Sequence, residues 1–211
     1  MLLLLLALLA PTTVPATQPA IVPAAAWGST PANFPDDYLH EPTTVLLHHA
    51  GVDWVAGTDP AVKIKNLQTW GMRERGWHDV PYHFLIAPDG RVFEGRALRY
   101  RPDTNTDFDT AGYVNVQLWG NFDTQRVSRA QLQATVTLVA HLADTLDMPT
   151  EKLVAHSDVA ATGCPGVDFY RYLDGGPLIG WIDQARAGQT PSIELLPPLE
   201  DGPTQMIPDA P

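Results

Sequence analysis

The chain has 211 residues and a formal charge of −11, from 13 basic against 24 acidic side chains. That balance argues against nucleic acid as a partner, because such binding depends on neutralising phosphates, and it disfavours polybasic attachment to a membrane. A single cysteine, Cys164, excludes an internal disulfide and leaves its sulfur as an intermolecular partner, a free thiol or a ligand.

The elements follow in chain order. Met1 to Ala10 is an uninterrupted apolar run, too short for a bilayer crossing of about 20 residues. With the small-residue site Val14-Pro15-Ala16 behind it, the run predicts a signal peptide over residues 1–16 and a secreted or periplasmic product, with no membrane-spanning segment in the mature chain. No Lys or Arg precedes the leucines, and the first charged residue is Asp36. Residues 17–41 read as an N-terminal arm.

Residues 42–186 carry enough apolar residues for one domain. "TTVLLHHA", Thr43 to Ala50, predicts a buried strand. Asp59 to Gly76 has Ala61, Ile64, Leu67, Gln68 and Met72 at helical spacing, with Gly76 as its end. "PYHFLIAPDGRVFEGR" sets two alternating runs around Pro88-Asp89-Gly90 and predicts a hairpin. Within it Phe93, Glu94 and Arg96 read as structural, the last two as a surface pair. "YVNVQLWG", Tyr113 to Gly120, predicts a further strand. Ser128 and Gln131 form a capping box ahead of Leu132, Val136, Val139, Ala140 and Ala143, an amphipathic helix. "KLVAHS", Lys152 to Ser157, is a short strand, followed by a turn near Phe169 and a helix over Pro177 to Ala187. Trp54 and Trp70 read as packing residues. The order β-α-β-β-β-α-β-α predicts an α/β fold, a mixed sheet with helices packed on it. Residues 187–211, with six prolines, four acidic residues and no Lys or Arg, read as a solvated Pro-rich acidic tail.

The chemistry converges on strand ends. His48 and His49 end one strand, His156 ends another, and Cys164 follows across the turn "TGCPG". Two imidazoles and a thiolate suit Zn2+, and three protein ligands leave a fourth tetrahedral position open. A lone cysteine is most often a small buried hydrophobe, but a Gly-Cys-Pro-Gly turn does not favour burial. Consecutive strand residues point to opposite faces, so only one of His48 and His49 faces a shared metal, and alternation does not say which.

Together, "VLLHHAG", "RGWHDVPYHFLIAPDGRVFEGR", "VNVQLWGNFD" and "HSDVAATGCPG" resemble the type 2 N-acetylmuramoyl-L-alanine amidase and peptidoglycan recognition protein family, over Thr43 to Leu173. The resemblance implies a mixed central sheet flanked by helices, with an open zinc-containing groove at one face. It selects the first histidine of the pair, giving His48, His156 and Cys164 as the metal ligands. It implies catalytic roles for Tyr82 and Thr162. It places Gly76-Trp77 where substrate contacts favour diaminopimelate stems over lysine stems. The implied reaction is zinc-dependent hydrolysis of the amide between the lactyl group of N-acetylmuramic acid and L-alanine, in peptidoglycan or muropeptides. The chain departs from the family pattern at Pro81 and Asn115, where glycine is common, at Ser157, where recognition proteins often carry arginine, and over Asn105 to Gly112. Because all three ligand positions are filled, an enzyme is favoured over a module that only binds peptidoglycan.

Overall fold

The computed structural model describes residues 18–208. The signal peptide expected over residues 1–16 lies outside the described residues. Among those described, no helix is long and apolar enough to cross a membrane.

The centre is a six-stranded mixed sheet in the order β1-β4-β3-β5-β2-β7. Strand β2 (Thr44–His49) is flanked by β5 (Tyr113–Leu118) and β7 (Leu153–Ala155), both parallel to it. Its Val45, Leu46 and Leu47 are all buried, as a parallel strand covered on both faces requires. The predicted hairpin is β3 (Phe84–Ile86) antiparallel to β4 (Val92–Glu94). Its turn needs glycine twice over. Gly90 has φ +86°, and a Cβ there would come 2.9 Å from the carbonyl oxygen of Ala130.

Helix α1 (Pro60–Trp70) is capped by Asp59, whose side chain accepts from the Ala61 N–H at 2.9 Å, with proline at the first position. One wider turn, Gly71–Arg75, carries the helix to Gly76, whose φ of +70° ends it. Helix α2 (Arg129–Thr145) opens with both halves of the capping box, Gln131 N to Ser128 Oγ at 3.0 Å and Ser128 N to Gln131 Oε1 at 3.2 Å. Its Leu132, Val136, Val139, Ala140 and Ala143 share one core with Val114, Val116 and Leu118 of β5. The alternate β5 residues, Tyr113, Asn115 and Gln117, therefore belong to the opposite face. Two shorter helices, α3 (Val167–Leu173) and α4 (Leu178–Arg186), complete the flanks.

Three expectations are corrected. The N-terminal arm joins the sheet: β1 (Ile21–Val22) pairs parallel with β4, and buried Trp27 donates from Nε1 to Glu94 O at 2.7 Å. Glu94 and Arg96 are not a surface pair. Glu94 accepts from Ala24 N, whereas the Arg96 side chain is wholly buried, ion-paired with Asp103 and donating to the carbonyls of Asp79, Val80 and Arg101. A guanidinium tolerates such burial because its planar fork of donors is matched by acceptors. Trp54 is buried packing and Trp70, 41% exposed, packs edge-on to Trp77 at the surface, both within the expected packing role.

The tail is the third. Ile193 and Ile207 are each 4% exposed and belong to the main core, and β8 (Gln205–Met206) pairs parallel with β6 (Gln125–Arg126). Leu196 N donates to Tyr172 Oη at 2.9 Å, and Arg126 and Arg171 both donate to Leu196 O. Periodicity missed this because irregular backbone docks its apolar residues one at a time. The folded unit extends at least to Ile207.

One buried group makes stability depend on pH. His83 is fully buried; its Nδ1 accepts from Asn115 N at 2.9 Å, and its Nε2 lies 3.0 Å from Tyr100 O. Burial, more than any neighbouring charge, lowers its pKa to about 3. A depressed histidine pKa contributes stability that is full above the unfolded value of about 6.5 and is lost as pH falls toward 3. Between pH 7 and 4.5 this residue alone costs on the order of 2–3 kcal/mol. Thermal melts of wild type and His83→Gln at both pH values should show a smaller acid-induced drop for the variant; equal drops would mean that His83 does not carry the effect.

Candidate metal centre

Parallel pairing of Leu47 with Ala155 sets the ends of β2 and β7 side by side. The next residue on each strand is a histidine, so His48 and His156 meet at that edge, with ring centroids 4.5 Å apart. The chain then turns back through residues 157–163 and is closed by Ser157 N donating to Cys164 O at 2.8 Å. This delivers the Cys164 thiol to the same spot: Sγ lies 3.6 Å from His48 Nδ1 and accepts from His49 N at 3.4 Å. One donor atom from each of His48, His156 and Cys164 lies within 4.8 Å of the others. Ligands around a tetrahedral zinc stand about 3.3–3.8 Å apart, so the set needs only a small contraction to hold one.

The electrostatics agree. All three side chains are buried. Burial, with the neighbouring imidazoles, holds His48 well below its ordinary pKa and brings His156 to about 4, so both are neutral, the form that ligates. Burial pushes the Cys164 thiol up to about 12, and a divalent cation is the charge that would reverse this. His156 Nδ1 is buried with no hydrogen-bond partner among the described residues. An orphaned ring nitrogen beside an imidazole and a thiol fits a metal ion.

His49 turns to the other face. Its Nδ1 accepts from Phe122 N at 3.2 Å, and a Cβ on Gly166 would come 2.8 Å from that atom. The geometry thus separates the two histidines that alternation left equivalent. The Tyr82 ring stands edge-on to His48, with centroids 5.2 Å apart, and burial raises its hydroxyl pKa, keeping it a neutral donor. The Thr162 hydroxyl accepts from Cys164 N at 3.2 Å, which shapes the turn carrying the thiol. Gly76 and Trp77 make their contacts with the end of α1 rather than with the ligand cluster. Trp77 lies over Gly71, where a Cβ would sit 2.5 Å from its ring, and edge-on to Trp70.

Sequence reading missed Thr106, whose Oγ1 lies 2.7 Å from His156 Nε2, and Phe108, whose ring centroid is 5.5 Å from that of His156. Both belong to the Asn105 to Gly112 loop, which carries no local signal of its destination. Phe108 also lines a cleft of about 250 Å³ with Tyr38, Arg101 and Thr110. Gln117, the register partner of His48, is buried on the same face.

Comparison with known proteins adds four findings. A family model described as N-acetylmuramoyl-L-alanine amidase matches residues 38–167. The chain is 26% identical over 149 residues to peptidoglycan-recognition protein SC2 of Drosophila simulans, covering 70% of this chain and 80% of that protein. It is 30% identical over 153 residues to N-acetylmuramoyl-L-alanine amidase of Sus scrofa, covering 70% of this chain but 25% of that one. Among solved structures, Drosophila peptidoglycan recognition protein SD superposes with a TM-score of 0.66 at 25% identity, over 76% of this chain and 96% of the other.

Proposed function

We propose, for a chain that belongs to the N-acetylmuramoyl-L-alanine amidase family, a zinc-dependent hydrolysis of the amide joining the lactyl group of N-acetylmuramic acid to L-alanine in peptidoglycan. The observation that carries it is the unpartnered, buried Nδ1 of His156 within reach of His48 and Cys164. A module that only bound peptidoglycan would have no use for a complete neutral His, His and thiol set. Export through the N-terminal apolar run would put the protein where that substrate lies.

Zinc, when bound, supplies Lewis-acid polarisation of the scissile carbonyl and a lowered pKa for water. The chain supplies the rest. His48, His156 and Cys164 hold the ion, and their burial keeps bulk water from competing. The His49 N–H on Cys164 Sγ stabilises charge on the sulfur. Thr162, through its bond to Cys164 N, keeps the thiol aimed. Tyr82 donates its proton in a hydrogen bond to the carbonyl oxygen as negative charge builds there. Water's hydroxyl ends on the lactyl carbon and its proton on the departing alanine nitrogen. The cleft containing Phe108 and Arg101 gives the stem peptide a surface beside His156, and Gly76-Trp77 is a second place for stem contact.

Muropeptides incubated with the purified protein should yield two fragments whose summed mass exceeds the substrate by one water, separated between lactyl group and alanine. Tight binding with no cleavage would replace this reading by recognition alone. Tyr82→Phe should retain zinc and fold but slow turnover by roughly 10²-fold, the scale of one lost oxyanion donor. Steady-state rates at equal zinc content measure this, and unchanged turnover would leave Tyr82 a packing residue.

A further inference from the structure

We propose that Thr106 and Asn115 are positioning residues that fix the two histidines as Nε2–H tautomers, so that His48 and His156 both present Nδ1 to the metal. The inference rests on the zinc reading above but not on the reaction assigned to it.

The argument for His156 follows the direction of hydrogen bonds. Thr106 N donates to Thr104 Oγ1 at 3.1 Å, and the two hydroxyl oxygens lie 2.8 Å apart. A threonine oxygen has two lone pairs, so Thr104 can accept both the Thr106 N–H and the Thr106 O–H. When Thr106 donates its hydrogen to Thr104, its Oγ1 meets His156 Nε2, 2.7 Å away, as an acceptor. Nε2 then carries the proton and Nδ1 is bare. The opposite polarity would place a buried N–H on Nδ1, an atom with no hydrogen-bond partner.

The same logic holds at His48. Asn115 Nδ2 faces Pro81 O at 3.5 Å, which turns Oδ1 the other way. Asn115, the register partner of Leu46, stands diagonally across from His48 on the same sheet face; its Oδ1 and His48 Nε2 are both buried and each lacks a hydrogen-bond partner, so pairing the two satisfies both. An acceptor oxygen there calls for a proton on Nε2. That leaves Nδ1, the atom 3.6 Å from Cys164 Sγ, as the ligand. Two unrelated elements, the Asn105 to Gly112 loop and β5, thus impose one tautomer on both imidazoles. Partners of this kind orient a ligating ring and raise its basicity, and losing one typically costs 10–100-fold in metal affinity.

The test uses the full chain with zinc stripped and restored. Nitrogen-15 imidazole spectra of the metal-free protein should show protonated Nε2 on His48 and His156. Competition against a chromophoric chelator should give Thr106→Val a zinc affinity weaker by about 10–100-fold, and Thr106→Ser, which keeps the hydroxyl, an affinity within a few-fold of wild type. Asn115→Ala should weaken zinc on the same scale, and the visible spectrum of cobalt-substituted protein should change in both weakened variants. Circular dichroism melts identify any variant that fails to fold; Thr106→Val, a surface-loop change of equal size, decides the matter if Asn115→Ala does not fold. Protonated Nδ1 on His156, or Thr106→Val binding zinc within two-fold of wild type, would overturn the proposal. A wild-type protein that binds zinc with this dependence yet leaves muropeptides intact overturns only the hydrolase reading.

Discussion

Cys164→Ser is expected to lose zinc and, with it, turnover. In the proposed site the thiolate is one of three protein ligands, and a serine hydroxyl rarely deprotonates and is a hard donor where zinc favours a soft one. Four-ligand protein zinc sites bind with about 10–16 kcal/mol, so one ligand is worth roughly 3 kcal/mol, or a factor of about 10² or more in affinity. The surrounding fold should survive, because the space is unchanged and serine can still accept from His49 N. Zinc content, chelator competition and muropeptide cleavage on the same preparation measure the effect. Thiol chemistry gives a second reading. Burial alone slows alkylation of Cys164, so the informative comparison is between zinc-loaded and zinc-stripped protein, with the stripped form reacting faster. A serine variant with stoichiometric zinc and wild-type rate would make Cys164 a packing residue and remove the main support for the metal centre.

Deleting residues 189–211 should lower the melting temperature by roughly 10–30 °C. Ile193 and Ile207 sit in the main core, and truncating a buried isoleucine to alanine costs about 2–5 kcal/mol. Losing both, with the β6–β8 pairing and the Leu196 bonds to Tyr172, Arg126 and Arg171, removes a large share of the 5–15 kcal/mol that holds a typical domain together. Each kcal/mol moves the melting temperature of a domain of this size by about 2–4 °C. Ile207→Ala isolates one contact, the docking of its side chain where Gly120 leaves room. A truncated chain melting within about 3 °C of the full one would show that these contacts contribute little.

Much of this molecule is written locally. Asp59, Gly76, the Ser128 and Gln131 pair and the Pro88 to Gly90 turn are short-range instructions, because caps and turns are satisfied by residues a few positions away; each stands where its chemistry predicts. His48, His156 and Cys164 were legible as a donor set, since residue type and strand-end position are sequence properties. Which of His48 and His49 turns inward was legible only through the family resemblance, because alternation fixes that they differ and packing against Phe122 and Gly166 fixes how. Thr106 and Asn115 were invisible as partners of the histidines for a similar reason: a loop hydroxyl 50 residues from His156 and a neighbouring-strand amide become neighbours only through strand register. Arg96 and the C-terminal segment show the opposite error. Charge and proline content predict solvation on average, yet a buried guanidinium with each nitrogen hydrogen-bonded, or isoleucines docked singly from irregular backbone, lie inside the fold. The sequence by itself determined the principal elements, their order and the donor residues; tertiary structure decided faces, the peripheral strands β1, β6 and β8 and the extent of the core, because these depend on contacts between residues far apart in the chain.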